Sequence, residues 1–195
     1  DLDKLKHNPS MGLGGVQDIG GARFAFEDIP TLMSACQILQ ETSLVGFSLK
    51  ATYNYVQQPK ESGYRSIHFV YKYHSDDEDK DGMLVELQIR TRLQHDWATA
   101  VETAELISQS PLKASLGDQQ WQDYFKLVSA IFARKEKQVT SAYYADFTEA
   151  DFCKQYDLVE NEHKFTKQLS SLVGALRIAS EKSFNKGYVV VHIDY

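Results

Sequence analysis

The chain has 195 residues, 43% hydrophobic and 25% charged, which fits one domain of ordinary size with a small appendage and excludes wholesale disorder. No apolar run approaches the roughly 20 residues that span a bilayer, and the start lacks the basic-then-apolar pattern of a secretory signal. A cytoplasmic protein with no membrane attachment is expected, with further sequence ahead of Asp1. The formal charge of −6 argues at first against a nucleic-acid partner, but residues 75–82 (SDDEDKDG) carry four of those six charges, so local basic positions decide. Cys36 and Cys153 stand alone without CxxC spacing, which speaks against a zinc site or a disulfide framework.

In chain order, residues 18–26 (DIGGARFAF) read as a strand entered from a turn-rich, glycine-rich stretch. Asp28 is a helix N-cap with Pro30 tolerated in the first turn, and Leu32, Cys36 and Leu39 follow at helical spacing. Residues 44–56 are rich in Val, Phe, Thr and Tyr and read as extended. Over 64–74, Ile67, Phe69, Tyr71 and Tyr73 share one strand face. Over 83–90, Met83, Val85, Leu87 and Ile89 do the same, so the two runs predict an antiparallel hairpin around the acidic loop. With both oily faces on one core, Tyr64, Ser66, His68, Glu86, Gln88 and Arg90 line the opposite surface together. Helices are predicted over 91–108, 119–138, 148–157 (capped by Thr148) and 160–184, and the closing YVVVHIDY reads as a strand. Strand, helix, several strands and then helices make an α+β protein with a mixed β-sheet flanked by helices.

Three motifs fail on inspection. Asp77, Asp79, Asp81 and Gly82 match the first half of an EF-hand loop, but the twelfth position is Gln88 and the flanks are strands, so a solvated hairpin tip is expected. Gly12, Gly14, Gly15, Gly20 and Gly21 give no phosphate-loop spacing and precede a strand rather than follow one. His95-Asp96 lacks the further ligands of a metal phosphohydrolase and reads as an ordinary helix start.

The polar hairpin face offers more. It brings together an aromatic ring, a histidine, a carboxylate, an amide and an arginine, with Lys60 just upstream and a second carboxylate, Asp18, at the start of the first strand. Two carboxylates from neighbouring strands suit Mg²⁺, which prefers oxygen ligands and substrate phosphates. Lys60, Arg90 and Arg23 can neutralise phosphate oxygens, and Tyr64 can stack on a base. The combination fits phosphoryl-type transfer between nucleotides, and the alternative is an exposed sheet face with ordinary cross-strand pairs.

Asp18-Ile19-Gly20-Gly21-Ala22-Arg23, Pro59-Lys60-Glu61-Ser62-Gly63-Tyr64-Arg65-Ser66-Ile67-His68 and Glu86-Leu87-Gln88-Ile89-Arg90-Thr91 resemble, in order and spacing, the synthetase domain of the RelA/SpoT family over about residues 1–105. The resemblance implies a nucleotidyltransferase-like fold and transfer of pyrophosphate from ATP to a 3′-hydroxyl. It implies that Asp18 and Glu86 bind Mg²⁺, Glu86 also helping to deprotonate the attacking hydroxyl. Lys4, Arg23 and Arg90 would bind ATP, with Arg23 on the adenine. Lys60 and His68 would contact acceptor phosphates, Tyr64 would stack on the acceptor base with Ser66 beside it, and Gln88 would orient reacting groups.

The chain departs from the family pattern in places. The arginine that the family carries upstream of the Lys4 position is not in this sequence, and Ser62 stands where many alarmone enzymes have Asn. Small alarmone synthetases have a guanine-reading Glu four residues after the Trp of the helix that follows Glu86. Here that position is Val101, with Glu102 one place later. QHDWATAVE (94–102) and the helical tail resemble relatives that include toxins acting on the 3′ end of tRNA. Lys126, Arg134, Lys135 and Lys137 form a basic stretch that reads first as a solvated helix face and second as an RNA contact. The division expected is a synthetase domain over 1–109 and a helical extension over 110–195. The function expected is a pyrophosphokinase acting on a guanosine nucleotide or on a tRNA 3′ end, with an antitoxin or regulatory protein as its partner. The competing reading is a catalytically inactive module that senses nucleotides or binds a protein.

Overall fold

The computed structural model describes residues 20–108 and 119–171. Strand β1 (Gly20–Phe26) leads into helix α1 (Ile29–Glu41), followed by β2 (Phe47–Asn54), β3 (Ile67–Tyr73), β4 (Leu84–Thr91) and α2 (Arg92–Ser108). Then come α3 (Gln119–Lys135), a 3₁₀ turn at Ala142–Tyr144 and α4 (Glu149–His163), with a further helical stretch over 165–171. The sheet order is β1-β4-β3-β2. β1 runs parallel to β4 while β3 is antiparallel to both β4 and β2. This is the expected mixed α+β arrangement. Asp18, Lys4, the first glycine cluster and the closing strand lie outside the described residues.

The hairpin forms in the predicted phase. Ile67 faces Ile89, Phe69 faces Leu87 and His68 faces Gln88. The odd-numbered face is sealed by α1: Leu32, Cys36, Ile67, Phe69, Tyr71 and Ile89 form one buried cluster. Asp28 starts α1 as predicted, its carboxylate accepting from the Thr31 amide at 2.8 Å. The acidic segment is the β3–β4 connection, with strands on both sides and an exposed Lys80–Asp77 ion pair at 2.6 Å.

A second core joins the sheet to the helices. Trp97, Ala98, Val101 and Ala104 of α2 pack with Trp121, Tyr124 and Phe125 of α3, with Phe165 and with Tyr64. The Trp97 indole N–H donates to the Phe125 carbonyl at 2.8 Å, so this large ring is buried with its polar atom satisfied. Residues on both sides of the expected 109/110 division therefore share one hydrophobic cluster.

Helix ends differ from the sequence reading for backbone reasons. α3 stops at Lys135, short of the predicted 138. Lys137 takes a left-handed φ of 56°, and amide bonds from Gln138 to the Ala133 carbonyl and from Lys137 to the Arg134 carbonyl close the helix as a Schellman motif. α4 runs on to His163 through the gap predicted at 158–159, and the break falls at left-handed Lys164 instead. Its start at Thr148 is as predicted, with a full capping box to Asp151.

Gly63 ties the two halves together. Its φ is +91°, and a Cβ there would lie 2.9 Å from Ser129 Cβ of α3 and 3.4 Å from the Trp97 ring. The Ser129 hydroxyl also donates to the Gly63 carbonyl at 2.5 Å. Gly63→Ala is therefore expected to cost about 1–3 kcal/mol of stability through strain and collision, read as a lowered urea midpoint; an unchanged midpoint would show that the loop does not need this contact.

Burial in the helical layer also sets an alkaline limit. The phenols of Tyr124 and Tyr144 are pushed up to about 12, chiefly by burial. Unfolded tyrosine titrates near 10, so the fold favours the protonated phenols. That contribution is complete below about pH 10 and is lost as pH rises toward 12. The urea midpoint should fall across this window, and Tyr144→Phe should shrink the fall; an identical fall in the variant would contradict it.

Candidate active site

On the even-numbered face the side chains form a hydrogen-bonded chain. Glu86 projects from β4 between His68 on β3 and Gln88 two residues on. His68 Nδ1 lies 2.5 Å from Glu86 Oε1, and the Gln88 amide nitrogen donates to Oε2 at 2.9 Å. An ionised carboxylate only accepts, so Nδ1 carries the proton; in the neutral ring Nε2 is then the acceptor for the Tyr64 hydroxyl at 2.8 Å. From the other side, Arg23 Nε donates to the Gln88 carbonyl oxygen at 3.3 Å. Five of the predicted site residues (Tyr64, His68, Glu86, Gln88 and Arg23) thus touch one after another across three strands and the loop that enters β3.

The register explains why. Arg23 on β1 pairs with Gln88, and Gly21 pairs with Glu86. A Cβ on Gly21 would meet the Glu86 carbonyl oxygen at 3.0 Å, so a glycine lets β1 lie close beside the carboxylate-bearing strand. Gly21, Ala22, Arg23, Glu86 and Gln88 line an open cleft of about 400 Å³. A larger cavity of about 590 Å³ sits behind the Lys60–Gly63 loop against α3 and α4 and contains neither Glu86 nor His68.

Lys60 joins the site through the aromatic rings, its Nζ 4.6 Å from the Tyr55 centroid and 5.2 Å from that of Tyr64. Tyr64 is only 8% exposed, in edge contact with Tyr55 and His68 and tilted against Trp97; burial pushes its phenol up. Ser66, expected at the acceptor, is fully buried and its hydroxyl donates to the Ile89 carbonyl at 3.1 Å. It braces β3 against β4 where the chain enters the sheet. Arg90 is 1% exposed. Burial, and next the Arg23 charge, lower its pKa to about 10.

Two neighbours were missed by sequence reasoning. Tyr55 packs edge-on to His68, centroids 5.2 Å apart, and lies parallel to Tyr53. The Tyr53–His68 pairing puts Tyr53 level with the site on β2, so the alternation of Tyr53 and Tyr55 was the available signal. His95 Nδ1 lies 2.6 Å from Arg90 Nη2. Val101 is 1% exposed, inside the α2–α3 core, whereas the Glu102 charge is felt at both Arg90 and His95. Among the described residues no group of three or more His, Cys, Asp or Glu side chains is arranged to hold a metal. The oxygen donor that suits Mg²⁺ is Glu86, on the cleft wall, so its chemistry fits that ion.

Comparison with known proteins agrees with the geometry. Among solved structures, the small alarmone synthetase 1 of Bacillus subtilis bound to its product pppGpp superposes with a TM-score of 0.58 at 26% identity, covering 70% of this chain and 68% of its own. A GTP pyrophosphokinase family protein of Streptococcus pneumoniae follows at 0.56 and 21%, with 70% and 66% covered. The small alarmone synthetase 2 of Bacillus subtilis gives 0.56 and 21%, with 70% of each chain covered. The latter two establish the likeness of fold. The curated proteins offer no match to the chain. No helix among the described residues is long and apolar enough to cross a membrane. The model of the region found in RelA/SpoT proteins matches residues 2–107, more than half of the sequence, and the chain belongs to the RelA/SpoT family through a synthetase domain.

Proposed function

We propose that the protein is an ATP-dependent 3′-pyrophosphokinase, with a guanosine nucleotide as its acceptor. The observation that carries this is the setting of Glu86, a carboxylate gripped by His68 and Gln88 beside an arginine-bearing cleft. The 26% identity to a synthetase solved with pppGpp supports the choice of acceptor. The acceptor's 3′-hydroxyl attacks the β-phosphorus of ATP in line. The new O–P bond forms as the bond from the β-phosphorus to the α,β-bridging oxygen breaks, AMP leaves with that electron pair, and Glu86 takes the hydroxyl proton. Arg23 meets ATP from the cleft wall, Arg90 adds its charge from a buried position and Lys4 is a further ATP contact, while Lys60 meets the acceptor phosphates beside the Tyr64–His68 pair. Gln88 fixes the Glu86 carboxylate, so positioning and charge supply most of the acceleration. Glu86, with Asp18, would hold Mg²⁺, which supplies charge neutralisation on the phosphates when bound.

A second acceptor, the 3′ end of tRNA, is favoured by one observation. The helix position where small alarmone synthetases read guanine is occupied by Val101, and that side chain is locked in the core. Both acceptors present a base, a phosphate and a 3′-hydroxyl, so Lys60, Tyr64 and His68 do not separate them.

The test uses the full chain with Mg²⁺ and ATP labelled at the γ-phosphate, with GDP/GTP and bulk tRNA offered separately. Label is expected on the guanosine nucleotide, and Glu86→Gln is expected to lower transfer by about a hundredfold or more. Label on tRNA alone would replace the acceptor while keeping the chemistry. Background AMP release from both wild type and variant would contradict the enzyme reading and favour a nucleotide-sensing module.

A further inference from the structure

Arg90 is a buried guanidinium whose position is set by something other than a carboxylate. Its Nη2 meets His95 Nδ1 at 2.6 Å, and its Nε has no hydrogen-bond partner among the described residues. Guanidinium groups donate and never accept. The His95 nitrogen facing Arg90 must therefore be the bare one, which makes the ring neutral and places its proton on Nε2. Desolvation and then the Arg90 charge lower the His95 pKa, in keeping with a neutral ring.

His95 is itself held firmly. β4 passes into α2 without a loop, and the junction is tied by reciprocal bonds. The Thr91 amide donates to the Gln94 side chain at 3.1 Å and the Gln94 amide donates to the Thr91 hydroxyl at 3.2 Å, in the form of a capping box. Thr91 and Gln94 both also donate to the Glu136 carboxylate at the end of α3. The residue after Gln94 is thus fixed from the strand, from its own helix start and from the neighbouring helix. One face of α2 carries His95 and, seven residues on, Glu102; the Glu102 charge acts on both His95 and Arg90.

We infer that His95 is a positioning residue for the transfer reaction: its bare Nδ1 fixes the buried Arg90 guanidinium within electrostatic reach of the cleft residue Arg23, and its Nε2–H is the donor that this arrangement leaves on the other side of the ring. Arg90 shares the even face of β4 with Glu86 and Gln88 and stands close enough to Arg23, a cleft residue, for the two charges to act on each other, so its orientation sets the direction of a positive field toward the cleft from a buried position. A flexible arginine at that position would supply charge without direction.

The kinetic arm of the test rests on the pyrophosphate transfer proposed above; the spectroscopic arm does not. His95→Phe keeps a ring but removes the acceptor, whereas His95→Asn returns an oxygen near the place of Nδ1. His95→Phe is expected to lower kcat roughly ten- to a hundredfold with the acceptor KM little changed, and His95→Asn to recover most of the loss. In an Arg90→Met background His95→Phe should cost nothing further. Independently of activity, nitrogen-15 NMR of the wild-type imidazoles should show His95 as the Nε2–H tautomer alone, becoming a mixture in Arg90→Met. An Nδ1–H or mixed tautomer in the wild type would overturn the inference, as would an asparagine variant no better than phenylalanine or an undiminished loss in the Arg90→Met background. A wild type that transfers no label would overturn the proposed reaction and the catalytic part of the inference, leaving the tautomer to decide whether His95 anchors Arg90.

Discussion

The bond between His68 and Glu86 is the contact on which the site depends. A carboxylate in the middle of a strand is mobile unless something grips it. Here a ring nitrogen on the neighbouring strand meets one oxygen at 2.5 Å while the Gln88 amide takes the other. The ring is steered in turn by Tyr64, and Tyr64 is held by the second core. Each donor is a rigid or half-buried group, so the carboxylate is oriented before any substrate arrives, the condition under which fixed charges accelerate phosphoryl transfer most.

Two cores make that face possible. α1 seals the odd side of the sheet with aliphatic and aromatic residues, so the even side is left to carry polar groups. α2 and α3 then close one end of the polar side through Trp97, Trp121 and Phe125. Burying rings of that size supplies several kcal/mol, and two arginines, Arg65 and Arg90, are buried as well, each with polar neighbours. Arg65 donates to Ser129 and to the Val56 and Val139 carbonyls, while Arg90 leans on His95. The helical segment after residue 118 thus forms the wall behind Tyr64.

Much of this was legible in the sequence because strand alternation is a strict rule. The period of two through residues 67–73 and 84–90 put Glu86, Gln88 and His68 on one face, and the observed register keeps them there, His68 opposite Gln88 and Val70 opposite Glu86. Arg23 was read from the residues as a charge for phosphate oxygens, and the resemblance added the adenine; the parallel β1–β4 pairing that brings it to Gln88 has no local signature in sequence. Long-range packing was not legible. Nothing in the spacing says that Ser66 turns inward to the Ile89 carbonyl, or that Tyr55, just past the end of β2, leans over His68. His95 was weighed as half of a metal pair, and its partner proved to be an arginine five residues earlier across a strand–helix junction. The misplaced helix ends at Lys137 and Lys164 have the same origin, since a lysine in left-handed conformation gives no glycine to read.

The central claim is that Tyr64, His68 and Glu86 act as one chain rather than as three separate contacts, and a double-mutant cycle measures it most directly. The rate of pyrophosphate transfer would be determined for Tyr64→Phe, His68→Ala and the double variant. If the Tyr64 hydroxyl acts through the imidazole, its removal should matter far less once His68 is gone, with an interaction energy of about 1–2 kcal/mol. Losses that add to within about 0.3–0.5 kcal/mol would contradict the account, because they would mean that each group works alone.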